Sequence, residues 1–146
     1  MGRTLMALAL SGFVVLALPV AANEKPTEAY QKAMKDNGAA LQAIRAAAKE
    51  LEDSGAGTQD YAPFVEAAAT LKPAFATTLA YWQAQKADDA IAVAQQAIKA
   101  IADMESAAND RNYRVVLASF TALGETCTAC HAAHRVRLPD GSFEIK

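Results

Sequence analysis

Large rings are scarce in this chain: Phe, Trp and Tyr together make up 7% of its 146 residues, with a single Trp. Yet 53% of the residues are hydrophobic, and alanine supplies most of the difference. Alanine is the strongest helix former, so the balance points to an all-α protein of closely packed helices. No strand-forming run, internal repeat or low-complexity linker is seen, which leaves nothing from which to build an α/β sheet. Charge of one sign is missing too. The formal net charge is −2, from 14 basic and 16 acidic residues, with no basic stripe, and this argues against a nucleic-acid partner. Only two cysteines and two histidines are present. The length suits one domain with a sizeable core.

Residues 1–22, "MGRTLMALALSGFVVLALPVAA", stand apart from this picture. Arg3 precedes an uncharged stretch from Thr4 to Ala22 that ends in small residues. This is the pattern of a secretory signal peptide, with cleavage expected near Ala22. The apolar run from Leu5 to Leu18 is short against the roughly 20 residues of a membrane span. No second hydrophobic segment follows, so the expectation is an exported, periplasmic protein with no stable membrane insertion after cleavage.

The mature chain reads as four helices. Tyr30, Met34, Asn37, Leu41, Ile44, Ala48 and Leu51 alternate steps of four and three and fall on one face. Thr27 is a suitable cap for that helix, and the glycines of "DSGAG" stop it. A second helix, from about Thr58 or Asp60 to Gln83, carries Tyr61, Phe64, Ala68, Leu71, Phe75, Leu79 and Trp82. Pro73 lies inside it and predicts a kink or break. A third starts at Asp88 or Asp89, presents Ile91, Ala94, Ile98 and Ile101, and closes at "ESAAND". A fourth, capped by Asn109 or Asp110, presents Tyr113, Val116, Leu117, Phe120, Leu123 and Cys127. It is expected to run to Leu138, followed by a turn and short tail over residues 139–146. Short connections predict an antiparallel up-down-up-down four-helix bundle, residues 23–138.

All four special side chains sit in eight residues at the end of the fourth helix: Cys127, Cys130, His131 and His134, in "CTACHAAH". Thiols at i and i+3 project from one side of a helix, and a histidine at i+4 shares that side. C-x-x-C-H is the signature of covalent c-type haem attachment: two thioethers to the cysteines, with the adjacent imidazole beneath the iron. Competing chemistries are weaker. Four zinc ligands crowded into two helical turns give poor tetrahedral geometry. A thioredoxin-like pair needs a strand-rich fold. A disulfide from Cys127 to Cys130 would close too small a loop to stabilise much.

His131 is therefore the expected proximal ligand. His134, on the same helix and the same side of the haem plane, cannot reach the other axial position. Met34 and Met104 are the remaining soft candidates. Met104 reads as packing, whereas Met34 lies mid-stripe on the first helix and is the better sixth ligand. Lys35, Arg114 and Arg135 are candidate partners for haem propionates, although a charge of this kind is more often simply solvated.

These features resemble the class II c-type cytochromes, the cytochrome c prime family and its low-spin relatives. The resemblance covers nearly the whole mature chain. "ALGETCTACHAAHR" is similar to the family's attachment helix. "YQKAMKDNGAALQAI" is similar to its first helix, where a Met-Lys-x-x-x-Gly-type run puts a methionine over the haem in low-spin members; here that residue is Met34. Two departures stand out: the family commonly has an aromatic residue where this chain has His134, and the tail "RLPDGSFEIK" is longer than in many members. The resemblance implies one covalent haem c and a one-electron carrier, not an enzyme, serving redox partner proteins. It also implies homodimerisation through the first two helices. The alternative within the family is a high-spin, open-site protein that binds nitric oxide or carbon monoxide.

Overall fold

In a computed structural model, residues 23–54 and 59–146 are described. The leader reading of residues 1–22, and the glycines expected to stop the first helix, lie outside the described residues. Four helices dominate: α1 Glu28–Asp53, α2 Ala62–Gln85, α3 Asp88–Asn109 and α4 Tyr113–His134. They pack against one another in chain order, α1 on α2, α2 on α3 and α3 on α4, while α1 and α4 barely touch. None of the helices described is long and apolar enough to cross a membrane.

Local chemistry explains most of the ends. Thr27 caps α1, its hydroxyl accepting from the Tyr30 amide at 3.2 Å. Lys86 ends α2 in the left-handed region, φ 56°. Asp88 and Asp89 occupy the first turn of α3, where negative charge favours the helix dipole. α3 runs one turn further than its sequence suggests: "ESAAN" is helical, and Asn112, not Asn109 or Asp110, caps α4 by accepting from Val115. Arg111, φ 53°, makes the turn between them.

The break expected at Pro73 does not occur, and α2 is continuous through it. Pro73 and the turn before it at Ala69 face solvent, so water can serve the backbone acceptor that the proline leaves without a donor.

The tail also departs from expectation. α4 stops at His134, and two strands follow, β1 Arg135–Arg137 and β2 Phe143–Ile145, paired antiparallel. Pro139 disfavours helix at Leu138, and the turn closes with the Gly141 amide donating to the Leu138 carbonyl at 3.0 Å. Asp140 accepts from the Ser142 amide, and Gly141 takes φ 85°, which suits a residue without Cβ. The chain before α1 joins this hairpin. Glu24 and Ile145 exchange two backbone hydrogen bonds, at 2.9 and 2.8 Å.

Packing divides the bundle into a filled half and a hollow half. Ile44, Leu51, Phe64, Leu71, Ile101 and Met104 are fully buried in one continuous core. On α3 the inward stripe is mainly alanine (Ala90, Ala94, Ala97, Ala100, Ala107), with Ile91 and Ile98 only half-buried. Small side chains there let neighbouring helices approach closely. Lys72 of α2 and Glu105 of α3 add an ion pair on the surface. At the other end a smaller cluster of Tyr30, Trp82 and Ala90 is fringed by Met34, Cys130 and Ile145.

Phe64 belongs to the filled half and is 0% exposed. Phe64→Ala is expected to destabilise the protein by about 3–5 kcal/mol, measured by chemical denaturation, while leaving the hollow end intact.

Candidate functional site

The hollow end is a cavity of about 770 Å³ between the first half of α1 and the second half of α4. That lies within the roughly 300–1,000 Å³ of cofactor and ligand sites. Each helix contributes a wall: Met34 and Asn37 from α1, Phe75 and Trp82 from α2, Ala94 and Ala97 from α3. α4 contributes Cys127, Cys130 and His131, and the hairpin closes one side through Leu138, Phe143 and Ile145. The lining is mostly apolar, as a large hydrophobic group requires.

Cys127 and Cys130 are free thiols, both half-buried, one helical turn apart on α4. Thr126 and Thr128 beside them turn their hydroxyls back to Leu123 and Gly124 carbonyls, so the helix stays regular through the motif. Burial pushes the Cys130 thiol from its ordinary value of 9.0 up to about 11, with smaller contributions from Cys127 and Asp89. Burial also raises Cys127. His131 is shifted down, first by desolvation and then by the Arg135 charge. Near neutral pH the site therefore holds two protonated thiols and a neutral imidazole, the form in which histidine ligates a metal.

Of the side chains expected at a haem site, Cys127, Cys130, His131 and Met34 line the same cavity, as do Lys35 and Arg135. Arg114 does not: it is exposed in the first turn of α4, some twenty residues before His134 in chain order and at the opposite end of the helix. Met104 is fully buried in the filled half. His134 has its own partner. Its Nε2 lies 3.0 Å from Asp89 Oδ2 on α3, and its ring is 4.7 Å from that of Trp82. Among the described residues, no three His, Cys, Asp or Glu side chains converge as a metal-binding group.

Sequence reasoning placed Tyr30, Asn37 and Trp82 on buried stripes without asking what their polar atoms do there. Asn37, 5% exposed, and Trp82, 2% exposed, both line the cavity; among the described residues Asn37 Oδ1 has no hydrogen-bond partner, and Trp82 Nε1 has only the Tyr30 hydroxyl close by. Buried polar atoms are nearly always paired, so an orphan such as Asn37 Oδ1 on a cavity wall calls for a ligand or water. Burial raises the Tyr30 phenol well above its usual value, so it stays a hydrogen-bond donor, and Cys130 adds to the shift. The available signal was the polar residue within an apolar stripe. The Asp89 partner of His134 gave none, since it lies 45 residues away.

Comparison with protein-family models, with curated proteins and with solved structures finds no match to this chain.

The residues present fit a haem. A mostly apolar cavity of the right order of size carries two thiols, a neutral imidazole and a thioether on its walls. Among the described residues it also leaves the buried Asn37 Oδ1 without a partner.

Protein made without any attached group should alkylate slowly at pH 8, because a raised thiol pKa leaves little thiolate. Reaction at Cys130 should accelerate up to about pH 11. Folding favours the protonated thiol, so that contribution to stability is present below pH 9 and is lost as pH rises through about 11. Iodoacetamide kinetics and denaturation across this range check both.

Proposed function

We propose that the protein is an exported, mono-haem c-type cytochrome that carries single electrons. The observation that supports this best is one cavity lined by Cys127, Cys130 and His131 from α4 and by Met34 from α1. The resemblance of both helices to the class II cytochromes points the same way.

On this reading Cys127 and Cys130 hold the haem. Each thiol would hold it as a thioether through one vinyl group, and no oxidant would be needed. His131 from α4 and Met34 from α1 would be the side chains offered to the iron. The iron, when bound, supplies the one-electron couple, and a methionine–histidine pair raises its reduction potential. Phe75, Ala94 and Ala97 would give the haem apolar contact.

The remaining parts of the reading follow from the same assignment. Connections of two residues between α2 and α3, and of three between α3 and α4, suit up-down-up-down order. Residues 1–22 act as a cleaved leader, the mature protein works in the periplasm, and its partners are redox proteins. A homodimer through α1 and α2 is the assembly that the family resemblance suggests.

Expression alongside haem-attachment machinery should add the mass of one haem, retained after denaturation. Cys127→Ala/Cys130→Ala should lack that mass and melt at a lower temperature, because its cavity keeps no resident group. A wild-type protein with no added mass sinks the cytochrome assignment.

Met34→Ala should abolish the weak red-end band of methionine-ligated ferric haem and open the sixth position to carbon monoxide or nitric oxide. An unchanged spectrum would show that Met34 is not the ligand and would favour the gas-binding alternative.

A further inference from the structure

Asn37 is the polar break in the apolar stripe of α1. It is 5% exposed and lines the cavity, and among the described residues its Oδ1 has no hydrogen-bond partner. Met34, also in the lining, lies three residues earlier, a spacing that puts both side chains on one face of the helix. A buried acceptor left unmet costs free energy, so a donor should reach it.

The donors around that wall are already engaged. Thr78 of α2 and Thr126 of α4 are buried in the same lining, but their hydroxyls donate to the Ala74 carbonyl at 3.0 Å and the Leu123 carbonyl at 2.7 Å. Each hydroxyl oxygen can still accept. Gln31 gives its side-chain amide to the Pro26 carbonyl at 2.7 Å, and His134 is held by Asp89. The Trp82 indole N–H faces the Tyr30 hydroxyl. Tyr30 is itself seven residues from Asn37 along α1, roughly 10 Å at the rise of an α-helix. Lys35 is exposed and, two residues from Asn37, on another face of α1. Leu41, Phe75 and Ala97 complete this part of the lining and carry no side-chain donor.

A haem in the cavity brings no donor either. Its methyl and vinyl groups have no polar hydrogen, its carboxylates are ionised at neutral pH, and its nitrogens are taken by the iron. Cys127, once joined as a thioether, has no hydrogen left to give. Water has two. Solvent also has a way to this wall. Gly38, beside Asn37, is an exposed lining residue, and a Cβ there would meet nothing within 4 Å.

We propose that Asn37 Oδ1 holds an ordered water on the α1 wall, beside Met34, and that this water stays when haem fills the cavity. This rests on the cytochrome reading. A buried water typically makes about three hydrogen bonds. One of its hydrogens goes to Asn37 Oδ1, and the hydroxyl oxygens of Thr78 and Thr126 are the acceptors on offer for the other. Asn37 is thus a positioning residue: it makes the wall that carries the sixth ligand locally wet, within an otherwise apolar lining.

High-resolution crystal structures of the haem-loaded wild type and of Asn37→Leu test this. The wild type should show a well-ordered water within hydrogen-bond distance of Asn37 Oδ1. Asn37→Leu, close in volume but without polar atoms, should lose that water while keeping covalent haem. A haem-loaded wild type with no water at Asn37 overturns the proposal and leaves the cytochrome reading standing, and that result needs no variant to fold. A water that persists unmoved in Asn37→Leu overturns it as well, because other groups would then be holding it. Absence of covalent haem in the wild type would instead overturn both.

Discussion

A cavity of about 770 Å³ in a chain of this size is the constraint on which the rest depends. It is partly open to solvent, with Lys25, Lys35 and Glu144 among its lining residues, so water enters it unless a resident group occupies it. Apolar walls that stay wet contribute nothing to stability, whereas covering them is worth about 25 cal/mol per Å². On the cytochrome reading a large, flat, mostly hydrophobic group supplies that cover, with two thiols to make its residence permanent.

The filled half makes the hollow half affordable. Phe64, Leu71, Ile101 and Leu123 are fully buried there, and alanine on α3 brings the helices into contact without bulky side chains. Burying a large aliphatic or aromatic side chain is worth about 1.5–3 kcal/mol, so a few such residues support a bundle end that contributes little by itself. The same division decides the electrostatics. The half-buried thiols are held neutral, with Cys130 raised to about 11, and His131, though more exposed, is lowered. Neutrality is the form in which the thiols can be buried before any group is attached.

Four helices were legible because their apolar stripes are long and periodic. Tyr30, Ile44 and Leu51 on α1 are buried, as are Phe64, Leu71 and Trp82 on α2. The motif was legible because its chemistry is local: Cys127, Cys130 and His131 are neighbours in sequence, and helix geometry alone aligns them. What escaped was either non-local or context-dependent. Pro73 leaves α2 unbroken because it faces solvent, a property that the sequence of one helix does not disclose. The hairpin escaped because three-residue strands carry too little periodicity to register, and β2 gains a second partner only from Glu24, some 120 residues earlier. The pairing of His134 with Asp89 needed the packing of α3 on α4.

That hairpin bears on the site in a way no single helix does. α1 and α4 carry Met34 and His131, yet they are the consecutive walls of the bundle that touch least. Direct packing therefore does little to set the gap between them. What ties them is at their ends: Glu24, four residues before α1, exchanges two hydrogen bonds with Ile145, and β1 continues directly from α4. Lys146 adds a third tie by donating its amide to the His134 carbonyl at 3.1 Å. The opening of α1 and the close of α4 are thus clasped together across the mouth of the cavity. On the cytochrome reading, two axial ligands from different helices must keep one separation while the iron changes charge. A clasp of backbone hydrogen bonds beside the cavity can hold that separation without filling the space that the haem needs.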